Sequence, residues 1–158
     1  MNGANAVIQD PYENTLVVLH NYGSRLWGLP GGGIEAEEEP VDAVIRETRE
    51  ETDLELDKNQ LTLIAICTRR NKESVNLYKT FNFKGNLAIN LPGEISDARF
   101  MSFEEIFCLH KKDKFGTGYL RMIIMHMMCL QGLDTPVVER YLYEPIVFDA
   151  GALGVLTI

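Results

Sequence analysis

The chain has few cysteines, a single tryptophan and no long apolar run, and each shortage removes a class of protein. Cys67, Cys108 and Cys129 are odd in number and far apart, so they supply neither a disulfide framework nor zinc-binding spacing. They read as small buried hydrophobes in a reducing compartment. The very apolar segment from Leu120 to Leu130 is too short to span a bilayer and carries Arg121 and His126. The N-terminal stretch shows no basic region followed by an apolar core, so no signal peptide is expected and a cytoplasmic location is. Basic residues are outnumbered by acidic ones, 15 to 23, which argues against stable binding to nucleic-acid backbones or anionic membranes. There is no internal repeat and no low-complexity linker. What remains is ordinary for a globular protein: 46% hydrophobic and 24% charged residues in 158, enough for one domain over 1–158 with a real core.

The excess negative charge is not spread evenly. The segment from Gly32 to Leu54, GGIEAEEEPVDAVIRETREETDL, holds nine acids and two bases, so it carries −7 of the chain's −8. Pro40 fits the first turn of a helix, and Asp42 follows on the favourable side of the helix dipole. Nothing breaks a helix from Pro40 to Thr52. At about 100° per residue, Glu47, Glu50 and Glu51 share an arc of roughly 100°, beside the arc of Val41, Val44, Ile45, Thr48 and Thr52. The three carboxylates thus lie along the edge of the buried face, where they repel one another. A solvated acidic face is the ordinary outcome for such a charge run. Its position beside the apolar stripe favours a different one, neutralisation by a hard divalent cation such as Mg²⁺ or Mn²⁺. Arg46 stands four residues before Glu50 and can pair with it.

The segment resembles the Nudix box, the signature of Nudix hydrolases. That pattern runs Gly, five residues, Glu, seven residues, Arg-Glu, an aliphatic, any residue, Glu-Glu, any residue, Gly, an aliphatic. Gly32, Glu38, Arg46, Glu47, Glu50, Glu51 and Leu54 match at every required spacing. The preceding Trp27-Gly28-Leu29-Pro30-Gly31-Gly32-Gly33 is also similar to the family's approach to the box. Two positions depart: Thr48 replaces the aliphatic and Asp53 the final glycine. Asp tolerates the left-handed conformation that ends such a helix, but it puts negative charge at the negative pole of the dipole. The resemblance implies an α/β fold, an α/β/α sandwich with a mixed sheet and the box helix beside it. It also implies a metal site of Glu47, Glu50, Glu51 and the Gly32 carbonyl.

The rest of the chain alternates strands and helices. Strands are expected over 6–9, 15–20, 61–69, 75–84 and 98–101, with 61–69 and 75–84 forming a hairpin. Trp27 to Pro30 is expected to be extended, because a residue before proline avoids the helical region. Ser102 and Glu105 form a capping box, which predicts a helix over 103–110. The segment 120–130 reads as a core helix that also suits a homodimer contact, with His126 a hydrogen-bonded core residue. The tail 134–158 has strand-like pieces at 141–148 and 153–158 whose pairing the sequence leaves open. Strands, a helix, more strands and more helices suit a mixed sheet between helices.

The expected reaction is attack of water at phosphorus in a diphosphate linkage, with positioning and electrostatics as the protein's main contribution. The cation would supply countercharge and a more acidic water. Arg46 would hold the carboxylates, and Glu38 takes a structural role near the glycines. Glu94, beyond the box, is the candidate base, with an exposed loop acid as the equal alternative. Trp27, Tyr78, Phe81 and Phe83 are candidates to stack on a base, although strand aromatics are more often core. Arg69 and Arg70 are candidates for terminal phosphates, and Asp113 for the edge of a base. The default substrate is a nucleoside triphosphate or related nucleoside diphosphate derivative. Two other classes stay open: a nucleotide-sensing Nudix module without catalysis, and a prenyl-diphosphate isomerase, which needs a Cys in the pocket, with Cys67 the candidate.

Overall fold

A computed structural model describes residues 1–69, 71–130, 147–149 and 155–157. The first strand, β1 (Gly3–Ile8), is the spine of the fold and every residue in it is buried. It pairs antiparallel with the three-glycine strand β4 (Gly31–Gly33) and parallel with β6 (Ser74–Thr80), which pairs antiparallel with β5 (Thr62–Thr68). The four make a mixed sheet in the order β4-β1-β6-β5. A second, antiparallel sheet runs β3-β2-β7, with β2 at Thr15–His20, β3 at Trp27–Gly28 and β7 at Ile95–Met101.

Strand alternation sorts the apolar side chains into two cores. Ala4, Ala6, Ile8 and Leu16 pack on one side with Ala43 and Val44 of helix α1 (Pro40–Thr52). Val7, Val17, Val75 and Leu77 pack on the other with Leu120, Ile123 and Ile124 of helix α3 (Thr117–Leu130). Successive strand residues point to opposite faces, so one set of strands fills both cores. Helices on both faces give the expected α/β/α sandwich. Helix α2 (Phe103–Lys111) starts at the Ser102–Glu105 capping box, with both reciprocal hydrogen bonds formed. Strands β8 (Val147–Asp149) and β9 (Val155–Thr157) pair antiparallel with each other. The rest of the expected strands 141–148 and 153–158 lies outside the described residues.

Helix α1 has the bounds read from the sequence, but several strand ends differ. Strand β1 begins three residues before Ala6, because Gly3, Ala4 and Asn5 are held by partners on both sides, at Gly33, Gly32 and Gly31 and at Val75, Asn76 and Leu77. Pairing overrides the poor strand propensity of these residues. Strand β6 stops at Thr80, not Lys84, because the Thr80 hydroxyl closes a turn onto Asn82 while Lys84 bridges to Glu55. Strand β7 begins at Ile95, which pairs with His20, and α3 begins at Thr117.

Both departures inside the box helix have structural consequences. Asp53 ends the helix with φ 61°, in the left-handed region, and its N–H donates to the Arg49 carbonyl. Asn90 donates to both the Asp53 carboxylate and the Arg49 carbonyl, and Ala88 N–H caps the Thr52 carbonyl. A loop thus supplies the donors that offset the misplaced charge. Thr48 is fully buried, and its Oγ1 has no hydrogen-bond partner among the described residues. A buried hydroxyl without a partner costs about 1 kcal/mol or more. Thr48→Val is therefore expected to raise the melting temperature by about 2–4 °C. A lower melting temperature by calorimetry would show that the hydroxyl contributes to stability.

Candidate active site

The acids of α1 meet the glycine strand at contact distance. A Cβ at Gly32 would lie 2.6 Å from the Glu47 carboxylate, and one at Gly31 would strike the Ala4 carbonyl. Gly31 also has φ +130°, which L side chains rarely adopt. Without side chains on the strand, Glu51 reaches the backbone, and Gly31 N–H donates to Glu51 Oε2 at 3.0 Å. Glu51 is only 4% exposed. Burial pushes its pKa up to about 8; the Gly31 N–H opposes this, while the charges of Glu47, Glu94 and Glu50 add to it. Burial also raises Glu47, against the pull of Arg46.

Arg46 ties the acids together. Its Nε and Nη2 form a fork on Glu38 at 2.9 and 3.0 Å, and Nη2 also donates to the Gly33 carbonyl at 3.0 Å. Nη1 donates to Glu47 Oε1 at 2.9 Å and Glu50 Oε2 at 3.2 Å. The fork draws the Glu38 pKa down to about 2, with the Glu35 N–H assisting. Among the described residues no three acids, histidines or cysteines converge closely enough to hold an ion as they stand. Arg46 Nη1 takes one oxygen each from Glu47 and Glu50, and Gly31 N–H takes one from Glu51.

The other residues singled out in the sequence are distributed unevenly. Glu94 is exposed in a turn, held by its carbonyl, which accepts from Asn21 N–H, yet its charge acts on Glu47 and Glu51. Arg69 lines a cleft of about 240 Å³ whose floor is Gly31 to Gly33. Arg70 lies outside the described residues. Trp27 does not offer a free stacking face: it is 9% exposed, packed in the α3-side core, with the Arg99 guanidinium 5.8 Å from its ring centroid. Tyr78 is likewise core, Phe83 stacks on Phe100, and Phe81 is exposed with its ring 5.9 Å from His126. Asp113 sits exposed in the turn after α2 with φ 56°, its N–H on the His110 carbonyl, and does not line the cleft. His126 is fully buried, with Nε2 2.9 Å from Gln9 Oε1, as expected of a core histidine.

Sequence reading singled out none of the other side chains that line the cleft, among them Asn5, Tyr22, Glu73 and Tyr119. Asn5 is the clearest in retrospect, a buried amide in an otherwise apolar strand. Its Nδ2 donates to the Pro30 carbonyl at 3.1 Å and so fixes the approach to the glycines. Tyr22 and Tyr119 come from a loop and a helix start, and no spacing links them to the box.

Comparison with known proteins agrees with this geometry. A family model described as the NUDIX domain matches residues 1–122. No curated protein matches. Among solved structures, a MutT Nudix hydrolase from Burkholderia pseudomallei is 25% identical, covering 65% of this chain and 82% of its own, with TM-score 0.57. A C. elegans Ap4A hydrolase in a binary complex is 21% identical, covering 83% and 99%, with TM-score 0.61. The Nudix domain of Shewanella oneidensis NrtR, complexed with ADP-ribose, is 17% identical, covering 82% and 88%, with TM-score 0.68. The family model spans the mixed sheet, the acidic helix and the glycine strand together, and on that ground the chain belongs to the Nudix family of pyrophosphohydrolases.

Proposed function

We propose that the chain hydrolyses a diphosphate linkage in a nucleoside triphosphate or related nucleoside diphosphate derivative, with Mg²⁺ or Mn²⁺ held by Glu47, Glu50, Glu51 and the Gly32 carbonyl. The observation that carries this reading is the burial of Glu51 and the partial burial of Glu47 against a strand that has no side chains. Desolvated carboxylates crowded together are costly unless positive charge joins them. The donor set is all oxygen, which fits a hard divalent cation. When bound, such an ion supplies countercharge for the phosphates and acidifies water. The chain's own groups do the remainder. Gly31 N–H orients Glu51, Arg46 orients Glu47 and Glu50, Glu94 accepts a proton from water at the rim, and Arg69 pairs with a phosphate.

The two other classes have less support. Cys67 is buried in the core with its thiol pKa pushed up to about 11 by burial, and it does not line the cleft, so an isomerase lacks its cysteine there. A sensing module remains the reading to adopt if every nucleotide binds and none is cleaved.

Two measurements test the proposal. The first is phosphate release over a nucleotide panel with Mg²⁺, repeated with Glu50→Gln and Glu51→Gln. Each change is expected to cut turnover about 100-fold or more while the fold persists. Unaltered rates in both variants refute the metal assignment. The second measurement follows the melting temperature of metal-free protein from pH 5 to pH 9. Glu51 has a folded pKa of about 8 against an ordinary value of 4.5, so the folded state keeps a proton that the unfolded state releases. Its contribution to stability therefore declines as pH rises from about 4.5 to about 8. The lowered pKa of Glu38 acts in the opposite direction, but only below about pH 4.5. Glu51→Gln retains an acceptor for Gly31 N–H and is expected to flatten the profile. A wild-type profile already flat across this window contradicts the burial argument.

A further inference from the structure

The cleft over Gly31 to Gly33 has a wall that the proposed reaction does not yet use. Tyr119, in the first turn of α3, is seated in a slot made by two glycines and a histidine. A Cβ at Gly28 would come within 2.5 Å of the Tyr119 ring, and one at Gly116 within 2.8 Å. The His20 ring stacks on it, with centroids 5.7 Å apart and planes 19° apart. His20 is itself fixed: it is 5% exposed and its Nδ1 donates to the Leu26 carbonyl at 3.1 Å. That bond sets the tautomer, because a carbonyl can only accept. Burial lowers the His20 pKa, so the ring behind Tyr119 stays neutral at ordinary pH. The phenol ring is therefore locked in place.

The hydroxyl it carries is not committed. Tyr119 lines the cleft, and its hydroxyl makes no hydrogen bond among the described residues. Burial raises its pKa; the positive Arg69 pulls it down and the negative Glu51 adds to the rise, so both charges lie within its electrostatic reach. It therefore remains a protonated donor at neutral pH. Arg69 is only loosely held, by Glu73, which lines the same cleft and also pairs with the Met1 amine. The one ion-pair partner of its guanidinium among the described residues is Glu73 at 3.9 Å, too long for a hydrogen bond. A cleft of about 240 Å³ is smaller than pockets that enclose a drug-sized ligand, which start near 300 Å³. It suits the phosphate portion of a substrate better than a whole nucleotide. Between the acids of α1 and Arg69 the floor is bare backbone, open to close approach.

We propose that Tyr119 and Arg69 form a phosphate subsite, in which the locked phenol donates a hydrogen bond and the guanidinium pairs with the same phosphoryl group of the substrate. The group held there is the phosphate remote from the one attacked at the α1 carboxylates. This inference rests on the hydrolase reading above, and it names which part of the substrate lies in this cleft.

Binding of inorganic pyrophosphate in the presence of Mg²⁺, followed by calorimetry, tests it. Tyr119→Phe keeps the ring in its slot and removes only the hydroxyl, so its melting temperature should match the wild type. A hydrogen bond from a phenol to a charged phosphate implies a rise in Kd of about tenfold or more. Arg69→Ala should weaken binding at least as much, and Arg69→Lys should recover part of the loss. For a nucleotide that the panel shows to be cleaved, Tyr119→Phe should raise KM with kcat nearly unchanged. Unchanged pyrophosphate affinity in Tyr119→Phe overturns the role of the phenol. Failure of the wild type to bind pyrophosphate overturns the subsite. Turnover in the nucleotide panel decides the hydrolase reading separately, so either can fail while the other stands.

Discussion

The contact between Glu51 and the backbone of Gly31 sets the geometry of everything near the cleft. A carboxylate that is 4% exposed reaches a strand amide at 3.0 Å. The same closeness places Glu47 against Gly32, where any Cβ would collide with it. The glycines therefore have two functions. They let the acidic helix lie flat on β4, and they leave a smooth backbone floor beside it. Alanine at Gly32 would press on the Glu47 carboxylate, whereas alanine at Gly31 would strike the β1 backbone at Ala4 and Asn5. Asn5 acts on the same contact from below, tying β1 to the Pro30 carbonyl and so fixing where the glycine strand starts.

How much of this was legible depends on whether the signal was local. Helix α1 was readable to its ends because Pro40, the apolar stripe and the lack of any breaker all lie within the helix. The capping box at Ser102 and Glu105 was readable for the same reason. Asp53 was legible as a left-handed residue, but Asn90, which compensates it from 37 residues away, was not. Gly3 to Asn5 gave no strand signal because their strand character comes from neighbours on both sides. Trp27 follows the alternative that strand aromatics are more often core: in β3 it packs in the α3-side core. Tyr119 was invisible because its importance depends on Gly28 and His20, each about a hundred residues away in sequence. The box gave a strong local pattern. The walls of the cleft come from several elements and have none.

Arg46 offsets part of the negative charge that the box helix carries. Its guanidinium makes five hydrogen bonds, to Glu38, the Gly33 carbonyl, Glu47 and Glu50. The arrangement is divided. Nε and Nη2 are anchored on Glu38 and Gly33, while Nη1 alone serves Glu47 and Glu50. A cation claiming oxygens from Glu47 and Glu50 would compete only with Nη1 and would leave the fork on Glu38 intact. Glu38 therefore matters although it is eight residues from Arg46 in sequence. It holds the arginine in place through the fork on its carboxylate. With Lys at position 46 the bidentate fork would be lost, and a single ammonium would have to choose between Glu38 and the two acids.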